Sequence, residues 1–402
     1  MTLLVLLCGG ILTLWVPGPW AYAAFQAGVF VTALVWVRSF AFRTTALRVT
    51  PAMIPLSAAV LWPLLQLAAN RTVYRWETWN SFWVWLVNLS VFFLAVQLAS
   101  DGARLRRFLT GLLYFAFGLS VVGILGLFTS DGKIFWLFPS GYTDYVLGPF
   151  VYRNQYAAFI ELTLPIALCL ALFAKKHRLA FAMMAAVMLA SVIASASRAG
   201  AILGIAEVIA IPLLALKSRL TTRRPAAIAA GATLVLAILA VLVVGFGPLW
   251  QRFQSPDPYF LRREVTQAGV AMFRAHPVVG FGLGTWATSY PAFAVFDPGA
   301  AITQAHNDWL QWAVEGGTPF LLMMSAFAAL LARPAVRSVW GIGVLAVLLH
   351  CLVDYPLQQR QQFAALFFAV AGAVASDSPR TRAKPPALTV AGSQRILASN
   401  SL

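Results

Sequence analysis

The sequence predicts an all-α membrane protein with about 12 transmembrane helices and a partly helical lid loop on the outer side. Hydrophobic residues make up 60% of the 402 residues and charged residues only 10%, a composition far from that of a soluble domain. Long apolar runs recur from one end of the chain to the other. The loops between them alternate in positive charge, as expected for a chain that crosses a membrane repeatedly.

Most of these runs are close to the ~20 residues that a helix needs to span the hydrocarbon of a bilayer. They cover residues 2–16, 19–37, 51–68, 79–99, 107–128, 154–174, 179–196, 198–216, 227–248, 306–332, 338–354 and 361–375. We interpret the first as a spanning helix and not as a signal peptide, because it has no basic leader. Residues 1–375 then form one membrane domain, and the Ser-, Pro-, Arg- and Ala-rich residues 376–402 form a disordered tail.

The positive charges set the orientation. With the N-terminus inside, the predicted cytoplasmic segments hold 19 of the 29 Lys and Arg residues against two acids, Asp101 and Asp377. This excess predicts that both termini are cytoplasmic. We therefore attribute the net charge of +16 to the orientation of the chain in a membrane, where lipids surround the helices. Nucleic-acid binding is excluded as a reading, because it would need the charge on one surface.

Two outer loops, about 129–153 and 249–305, are longer than ordinary connectors, and such loops are usually functional or disordered. The second is rich in aromatic residues, which favours a folded segment. Its apolar residues recur at helical spacing as Val265, Ala268, Met272 and Ala275, so we expect a helix over 261–275 that ends before Pro277. We predict a lid over a site at the outer membrane face.

No metal or cofactor is expected. Cys8, Cys169 and Cys351 lie in separate apolar runs and are interpreted as small buried hydrophobic residues. The glycine-rich stretch 280–284 lacks the spacing and the preceding strand of a dinucleotide loop, so it is interpreted as a flexible turn.

Cations stand at the outer starts of several predicted helices. Arg198 follows two serines at a helix N-terminus, where free N–H groups and a guanidinium together favour phosphate or diphosphate. Arg153 and Asn154 begin another predicted helix on the same side. The N–H groups of this helix start and the guanidinium of Arg153 likewise favour an anion. The alternative for each arginine is a side chain that reaches towards outer lipid headgroups.

His306 opens a predicted helix directly after the lid. A neutral imidazole near pH 7 can accept a proton from a hydroxyl group; the alternative is an interfacial or helix-capping histidine. Asn307 suits a first helical turn and is a candidate for substrate binding. Arg262 and Arg263 begin the lid helix, so that one can face the site, unless both are solvated. Together these residues predict an anionic group held beside a base, in a cavity under the lid that is lined by Arg198 and His306.

Several ordered motifs resemble those of a known family. They are GPFVYRNQYA at 148–157, SRAG at 197–200, Arg262, HPVVGFGLGTW at 276–286, HNDWLQWAVEGG at 306–317 and HCLVDY at 350–355. In order, spacing and topology the chain resembles the O-antigen ligase and polysaccharide polymerase superfamily of bacterial membrane glycosyltransferases. The resemblance covers roughly residues 148–356.

The resemblance implies metal-independent transfer of a glycan from a polyprenyl-diphosphate-linked donor at the periplasmic side of the inner membrane. The acceptor is lipid A-core in ligases, another lipid-linked glycan in polymerases, and a protein in related members. The functional arginines of the family correspond to Arg198 and Arg262, with Arg263 as the register alternative, and the functional histidine corresponds to His306. A single displacement would invert the anomeric centre, since no carboxylate pair stands out for retention.

Two other functions remain open. Within the family, the protein could be a repeat-unit polymerase of O-antigen or exopolysaccharide. In another class, it could transport lipid-linked glycans, and the acid Glu207 within a predicted helix favours this hypothesis. The alternative interpretation of Glu207, which we prefer, is a lone buried carboxylic acid. Against transport, the chain has no clear internal repeat, and its polar candidates cluster at the outer face instead of the middle of the membrane.

Overall fold

The computed structural model is nearly all-α and describes residues 1–41, 47–141, 145–174, 176–254, 260–295, 299 and 301–376. Each of the twelve predicted apolar runs contains a helix. The helices are α1 (Thr2–Leu12), α2 (Pro19–Ala41), α3 (Met53–Ala68), α4 (Arg75–Leu98), α5 (Gly102–Thr129), α6 (Arg153–Phe173), α7 (Arg178–Ala194), α8 (Arg198–Lys217), α9 (Arg223–Val244), α10 (Gly247–Phe253), α11 (Phe260–Ala275), α12 (Trp286–Ser289), α13 (Asp308–Ser338), α14 (Ile342–His350), α15 (Pro356–Gln359) and α16 (Gln361–Ala375). The predicted tail lies outside the described residues, apart from Ser376.

Seven of the described helices are long and apolar enough to cross a membrane. They are Pro19–Phe40, Arg75–Leu98, Gly102–Thr129, Arg153–Phe173, Arg198–Lys217, Ala226–Val244 and Asp308–Ser338. The other apolar runs form the shorter helices α1, α3, α7, α14 and α16. That these five also cross the membrane, giving twelve spans, stays a prediction.

The first of the two long loops, which the sequence predicts to be on the outer side, departs from the all-α expectation. Two short antiparallel strands, β1 (Lys133–Ile134) and β2 (Phe138–Pro139), form a hairpin in it. The hairpin is small, and the fold remains nearly all-α.

Helix α6 lies at the centre of the bundle. It is 94% buried over its apolar window, whereas α2 and the window Ala226–Val244 of α9 are each only 17% buried. Helices α7, α8 and α14 pack around α6, and Gly343 of α14 lies directly against the backbone of Glu161 and Leu162. At the N-terminus of α6, Asn154 is buried and Arg153 is half-buried.

Helix α13 is broken near its start, although the sequence predicts one continuous run over 306–332. Gly317 has φ 69° and ψ −174°, a backbone conformation that glycine adopts most readily. A Cβ atom at this position would collide with the carbonyl group of Val278. The N–H and hydroxyl of Thr318 donate to the Pro277 carbonyl at 2.7 and 2.8 Å. The break exists because the 249–305 segment packs there.

The 249–305 segment is folded onto the bundle where it is described. Its helix α11 covers the predicted range, and Val265, Ala268 and Met272 are buried, whereas Ala275 is exposed. Gln66 ties residues 279–283 to α3: its amide group donates to the Val279 carbonyl at 2.7 Å and accepts from the Leu283 N–H at 3.0 Å. The stretch read as a flexible turn is thus packed and hydrogen-bonded.

Candidate active site

A buried carboxylate, Asp354, connects three parts of the chain. It accepts hydrogen bonds from the hydroxyl of Tyr152 at 2.7 Å, from the amide of Asn154, and from the guanidinium of Arg262 at 2.5 Å. Its own next residue, Tyr355, also donates its N–H at 2.9 Å. Because an ionised carboxylate is an acceptor at both oxygens, Asp354 holds the start of α6, helix α11 and the turn after α14 together.

Arg262 is fixed by two contacts at this junction. One terminal nitrogen donates to Asp354 and the other donates to the Val353 carbonyl at 2.8 Å. Arg263 turns a different way, and its guanidinium lies 5.8 Å from the ring centroid of Phe260. The two adjacent arginines therefore face different surroundings, as expected for neighbours on a helix.

A second group of cations lies at the start of α8. Ser197 caps this helix and accepts from the Gly200 N–H at 3.3 Å. Arg198, which is only 9% exposed, donates to the carbonyl of Arg252 at 3.1 Å, and Arg252 donates to the Ala196 carbonyl at 2.6 Å. This reciprocal pair joins α10 to the N-terminus of α8.

The cations are close enough to influence one another. Burial first, and then the charges of Arg153, Arg198 and Arg262, lower the pKa of Arg252 to about 10. Arg153 stacks its guanidinium on Tyr145, 4.5 Å from the ring centroid. A place where four guanidinium groups repel one another is a place where a multiply charged anion is stabilised.

Two neighbouring cavities meet at Arg262. The arginine cavity, about 340 Å³, is lined by Arg198, Arg252, Arg262, Asn154, Val353 and Asp354 among others. The histidine cavity, about 300 Å³, is lined by Arg262, Arg263, Thr266, Gln267, His306, Asn307, Leu352 and Val353. The expectation of a single cavity lined by Arg198 and His306 is therefore replaced by two adjacent cavities that share Arg262 and Val353. The reason is that Arg262, held by Asp354, stands between them.

His306 is half-buried and has an unusual backbone, with φ 53°. Its ring meets Tyr355 edge to face, with centroids 4.8 Å apart. Its Nδ1 atom is buried and has no hydrogen-bond partner among the described residues. Burial lowers the pKa of His306 below its ordinary value of 6.5, and the charge of Arg262 lowers it further while Asp354 opposes the shift. The imidazole is thus neutral at pH 7 and can accept a proton.

The two residues after His306 attach the start of α13 to residues 352–357 through hydrogen bonds. Asn307 caps α13 by accepting from the Leu310 N–H at 3.0 Å, and its amide nitrogen donates to the Leu352 carbonyl at 2.8 Å. The buried carboxylate of Asp308 accepts from the Leu357 N–H at 3.1 Å. Asn307 and Asn154 therefore have identified positioning contacts, and their direct contact with substrate stays a prediction.

Glu315, two turns into α13, anchors the 249–305 segment. Its carboxylate accepts from the N–H groups of Gly284 and Trp286 at 2.9 and 3.0 Å, and from the Gln311 side chain at 3.0 Å. This residue is a support for the site and lines neither of the two cavities.

Sequence reasoning did not assign three residues of this site: Tyr152, Arg252 and Asp354. Tyr152 and Asp354 stand inside the motifs quoted above, and a polar residue beside each motif's helix end was the available signal. Arg252 carries no local signal, because it resembles any other cation in a long loop. In the part of the chain that the structure describes, no group of three or more His, Cys, Asp or Glu residues could hold a metal ion.

Comparison with known families adds one match. The family described as O-antigen ligase matches residues 183–325, a range that includes Arg198, Arg252, Arg262 and His306. The resemblance to the O-antigen ligase and polysaccharide polymerase superfamily is confirmed. No curated protein matches the chain.

The superfamily and the helices together define the protein in general terms. The seven membrane-capable helices among the described residues, together with this family, make it a multi-pass membrane protein. The O-antigen ligase family supports a glycosyltransferase activity of the ligase or polymerase type, which implies a lipid-linked glycan donor and a glycan acceptor.

Proposed function

We propose that the protein transfers a glycan from a polyprenyl diphosphate carrier to an acceptor hydroxyl at the periplasmic face of the bacterial inner membrane. The proposed reaction needs no metal and inverts the anomeric carbon. The observation that carries the proposal is the junction of the arginine cavity and the histidine cavity at Arg262. A diphosphate and an acceptor hydroxyl could be held side by side across this residue.

In the proposed reaction the donor diphosphate occupies the arginine cavity. Arg198, Arg252 and Arg262 bind its oxygens, and the dipole at the N-terminus of α8 adds partial positive charge. The bond between the anomeric carbon and the phosphate oxygen breaks, and both electrons go to the departing diphosphate. Preorganised guanidinium groups stabilise the charge that develops there.

The acceptor occupies the histidine cavity in this proposal. Its hydroxyl oxygen forms the new bond to the anomeric carbon, and its proton passes to His306. We place proton acceptance at Nε2, because Nδ1 is shut off from solvent. Asp354 and Tyr152 act through Arg262 and do not contact the substrate in this proposal. Asp354 holds Arg262 at the junction, and the hydroxyl of Tyr152 donates to Asp354 at 2.7 Å.

Within this function we favour a ligase with lipid A-core as the acceptor, and a repeat-unit polymerase is the competing assignment. The test is transfer by purified protein from a polyprenyl-diphosphate glycan, in EDTA, with lipid A-core and lipid-linked glycan offered in separate reactions. We expect transfer to lipid A-core and an inverted linkage by NMR. Transfer only to the lipid-linked glycan would make the protein a polymerase, and a retained linkage or a need for divalent metal would contradict the mechanism.

The proposed location is tested by topology. Both termini are placed in the cytoplasm and the two long loops in the periplasm. Reporter fusions after residues 145 and 290 should both give an external signal. A cytoplasmic signal at either position contradicts the proposed orientation, and with it a periplasmic site.

A further inference from the structure

A third cavity, the amide-lined cavity, lies beside the first two turns of α13, where Gln311, Trp312 and Glu315 line it. It has a volume of about 340 Å³ and is lined by six amide side chains: Asn80, Asn88, Gln304, Gln311, Gln358 and Gln361. It shares no lining residue with the arginine or histidine cavities. Its wall runs along α4 from Glu77 to Asn88, a helical rise of roughly 16 Å, so it extends from the loops into the bundle.

The chemistry of the amide-lined cavity differs from that of the arginine cavity. No Lys or Arg is among its described lining residues, and its two ionisable groups are carboxyls, Glu77 and Glu315. An amide side chain offers both a donor and an acceptor, which suits the adjacent hydroxyl groups of a sugar. Because this lining has no cationic side chain to balance the negative charge of a phosphate, it favours a neutral ligand.

Aromatic surfaces complete this lining. Trp85, Trp286 and Trp312 all line the cavity, and Trp85 and Trp312 meet edge to face with ring centroids 6.4 Å apart. The flat face of an indole ring can pack against the C–H face of a sugar ring, and its N–H can donate a hydrogen bond. Ligand cavities commonly combine apolar walls with a few polar groups of this kind.

Buried polar atoms in this wall lack partners among the described residues. They include Oδ1 of Asn88, Oε1 of Gln304 and Nε1 of Trp286. Asn88 is 2% exposed and Trp286 is 1% exposed, so neither group is satisfied by bulk solvent. Because an unmade hydrogen bond at a buried group is costly, these atoms indicate a place for a ligand with many hydroxyl groups.

The amide-lined cavity is connected to the proposed base through the chain itself. Gln304 lines it, and His306, two residues further on, lines the histidine cavity. Gln311 joins both regions, because its side chain accepts from the Ala305 N–H at 2.9 Å and donates to Glu315 at 3.0 Å. A ligand that contacts Gln304 or Gln311 would therefore touch the segment that positions His306.

We infer that the amide-lined cavity is a binding site for neutral sugar residues of a glycan substrate. The assignment of that sugar to the donor or the acceptor of transfer rests on the proposed function, whereas binding of the sugar itself does not. The site recognises hydroxyl groups and sugar rings, and the arginine cavity recognises the diphosphate.

The first test measures binding without chemistry. The probe is the free neutral oligosaccharide released from the lipid-linked donor by mild acid, titrated into the purified full-length protein by calorimetry. We expect Asn88→Leu, alone and combined with Gln361→Leu, to weaken binding about tenfold or more, since hydrogen bonds to a neutral sugar are lost. Gln26→Leu on α2 is the matched control, because it removes an amide from a spanning helix that lines none of the three cavities.

A second measurement separates the two chemistries. Inhibition of transfer by inorganic diphosphate should be unchanged in Asn88→Leu and weakened in Arg198→Ala, and oligosaccharide binding should show the opposite pattern. A higher KM for the donor alone would place the donor's sugars in the cavity, and a higher KM for the acceptor alone would place the acceptor there.

The outcomes distinguish the two proposals. Wild-type oligosaccharide affinity in both Asn88→Leu and the double variant, with each protein correctly folded by its thermal transition, overturns this inference and leaves the proposed transfer intact. Oligosaccharide binding that depends on Asn88, in a protein that transfers nothing to any acceptor offered, supports the inference and contradicts the proposed function.

Discussion

The arginine cavity and the histidine cavity are similar in size and share Arg262 and Val353, yet they differ in chemistry. The first is lined by three guanidinium groups and one carboxylate. Among its described lining residues, the second contains two guanidinium groups, no carboxylate, and a half-buried histidine whose pKa is lowered by burial. In the proposed reaction, this difference divides charge stabilisation and proton transfer between two adjacent cavities, and Arg262 lines both.

The largest loss of glycan transfer should follow a substitution in the histidine cavity. We expect His306→Ala to reduce kcat for glycan transfer by about 10²–10⁴-fold, the usual contribution of a positioned general base. The measurement is transfer by purified protein at saturating donor. His276→Ala, an exposed histidine of the same segment, should retain activity. A His306→Ala variant that works at the wild-type rate would remove the proposed division between the cavities.

A somewhat smaller loss should follow changes in the arginine cavity. Arg198→Ala should lower kcat by roughly 10²–10³-fold, because one preorganised group that stabilises developing charge is lost. Arg198→Lys should restore activity only in part, since lysine lacks the planar fork that binds phosphate oxygens in pairs. Arg274→Ala on the exposed side of α11 is the control. Full activity in Arg198→Lys would show that position and charge suffice.

A substitution of Asp354, which holds Arg262 between the two cavities, should reduce activity less. Asp354→Asn keeps the shape of the side chain but removes the charge that holds Arg262. We expect kcat/KM to fall about tenfold and the free energy of unfolding to fall by about 1–3 kcal/mol, because buried donors lose a charged acceptor. Asp131→Asn, at an exposed position just before β1, should change neither quantity. Wild-type kinetics in Asp354→Asn would mean that Arg262 needs no anchor.

The smallest effect concerns pH. His306 must be neutral to accept a proton, and burial lowers its pKa below 6.5. The acidic limb of the kcat/KM profile, which reports the free enzyme, should therefore have its midpoint below pH 6.5 and be flat through pH 7. A midpoint above 7 would mean that His306 is charged in the free protein and is not prepared as a base.

Much of the fold follows from the sequence, and the reason is periodicity. The apolar runs predict every spanning-length helix, and the stripe at Val265, Ala268 and Met272 predicts α11, because burial of one face repeats locally along the chain. The break at Gly317 was missed, since an apolar pattern continues through it. Its cause is the carbonyl of Val278, which reaches it only after the 249–305 segment has folded back.

In the candidate site, too, some residues could be predicted from the sequence and others could not. Arg198, Arg262 and His306 could be chosen from the sequence because each stands at a helix start beside a recognisable motif. The role of Asp354 depends on contact with Tyr152 and Asn154, about two hundred residues away in the chain, and no local pattern encodes that pairing. The six amides of the third cavity come from α4, α13, α15, α16 and a loop, so they also converge only through tertiary structure.

The position of Arg262 in both cavities has a consequence for the order of events. Its positive charge lowers the pKa of His306 while Asp354 raises it. A donor diphosphate bound to Arg262 would offset that positive charge and make the neighbouring imidazole more basic. Binding linkage is reciprocal, so protonation of His306 would in turn tighten the hold on diphosphate. In the proposed reaction the base would then gain strength when the donor arrives and give up its proton more easily once the diphosphate product has left.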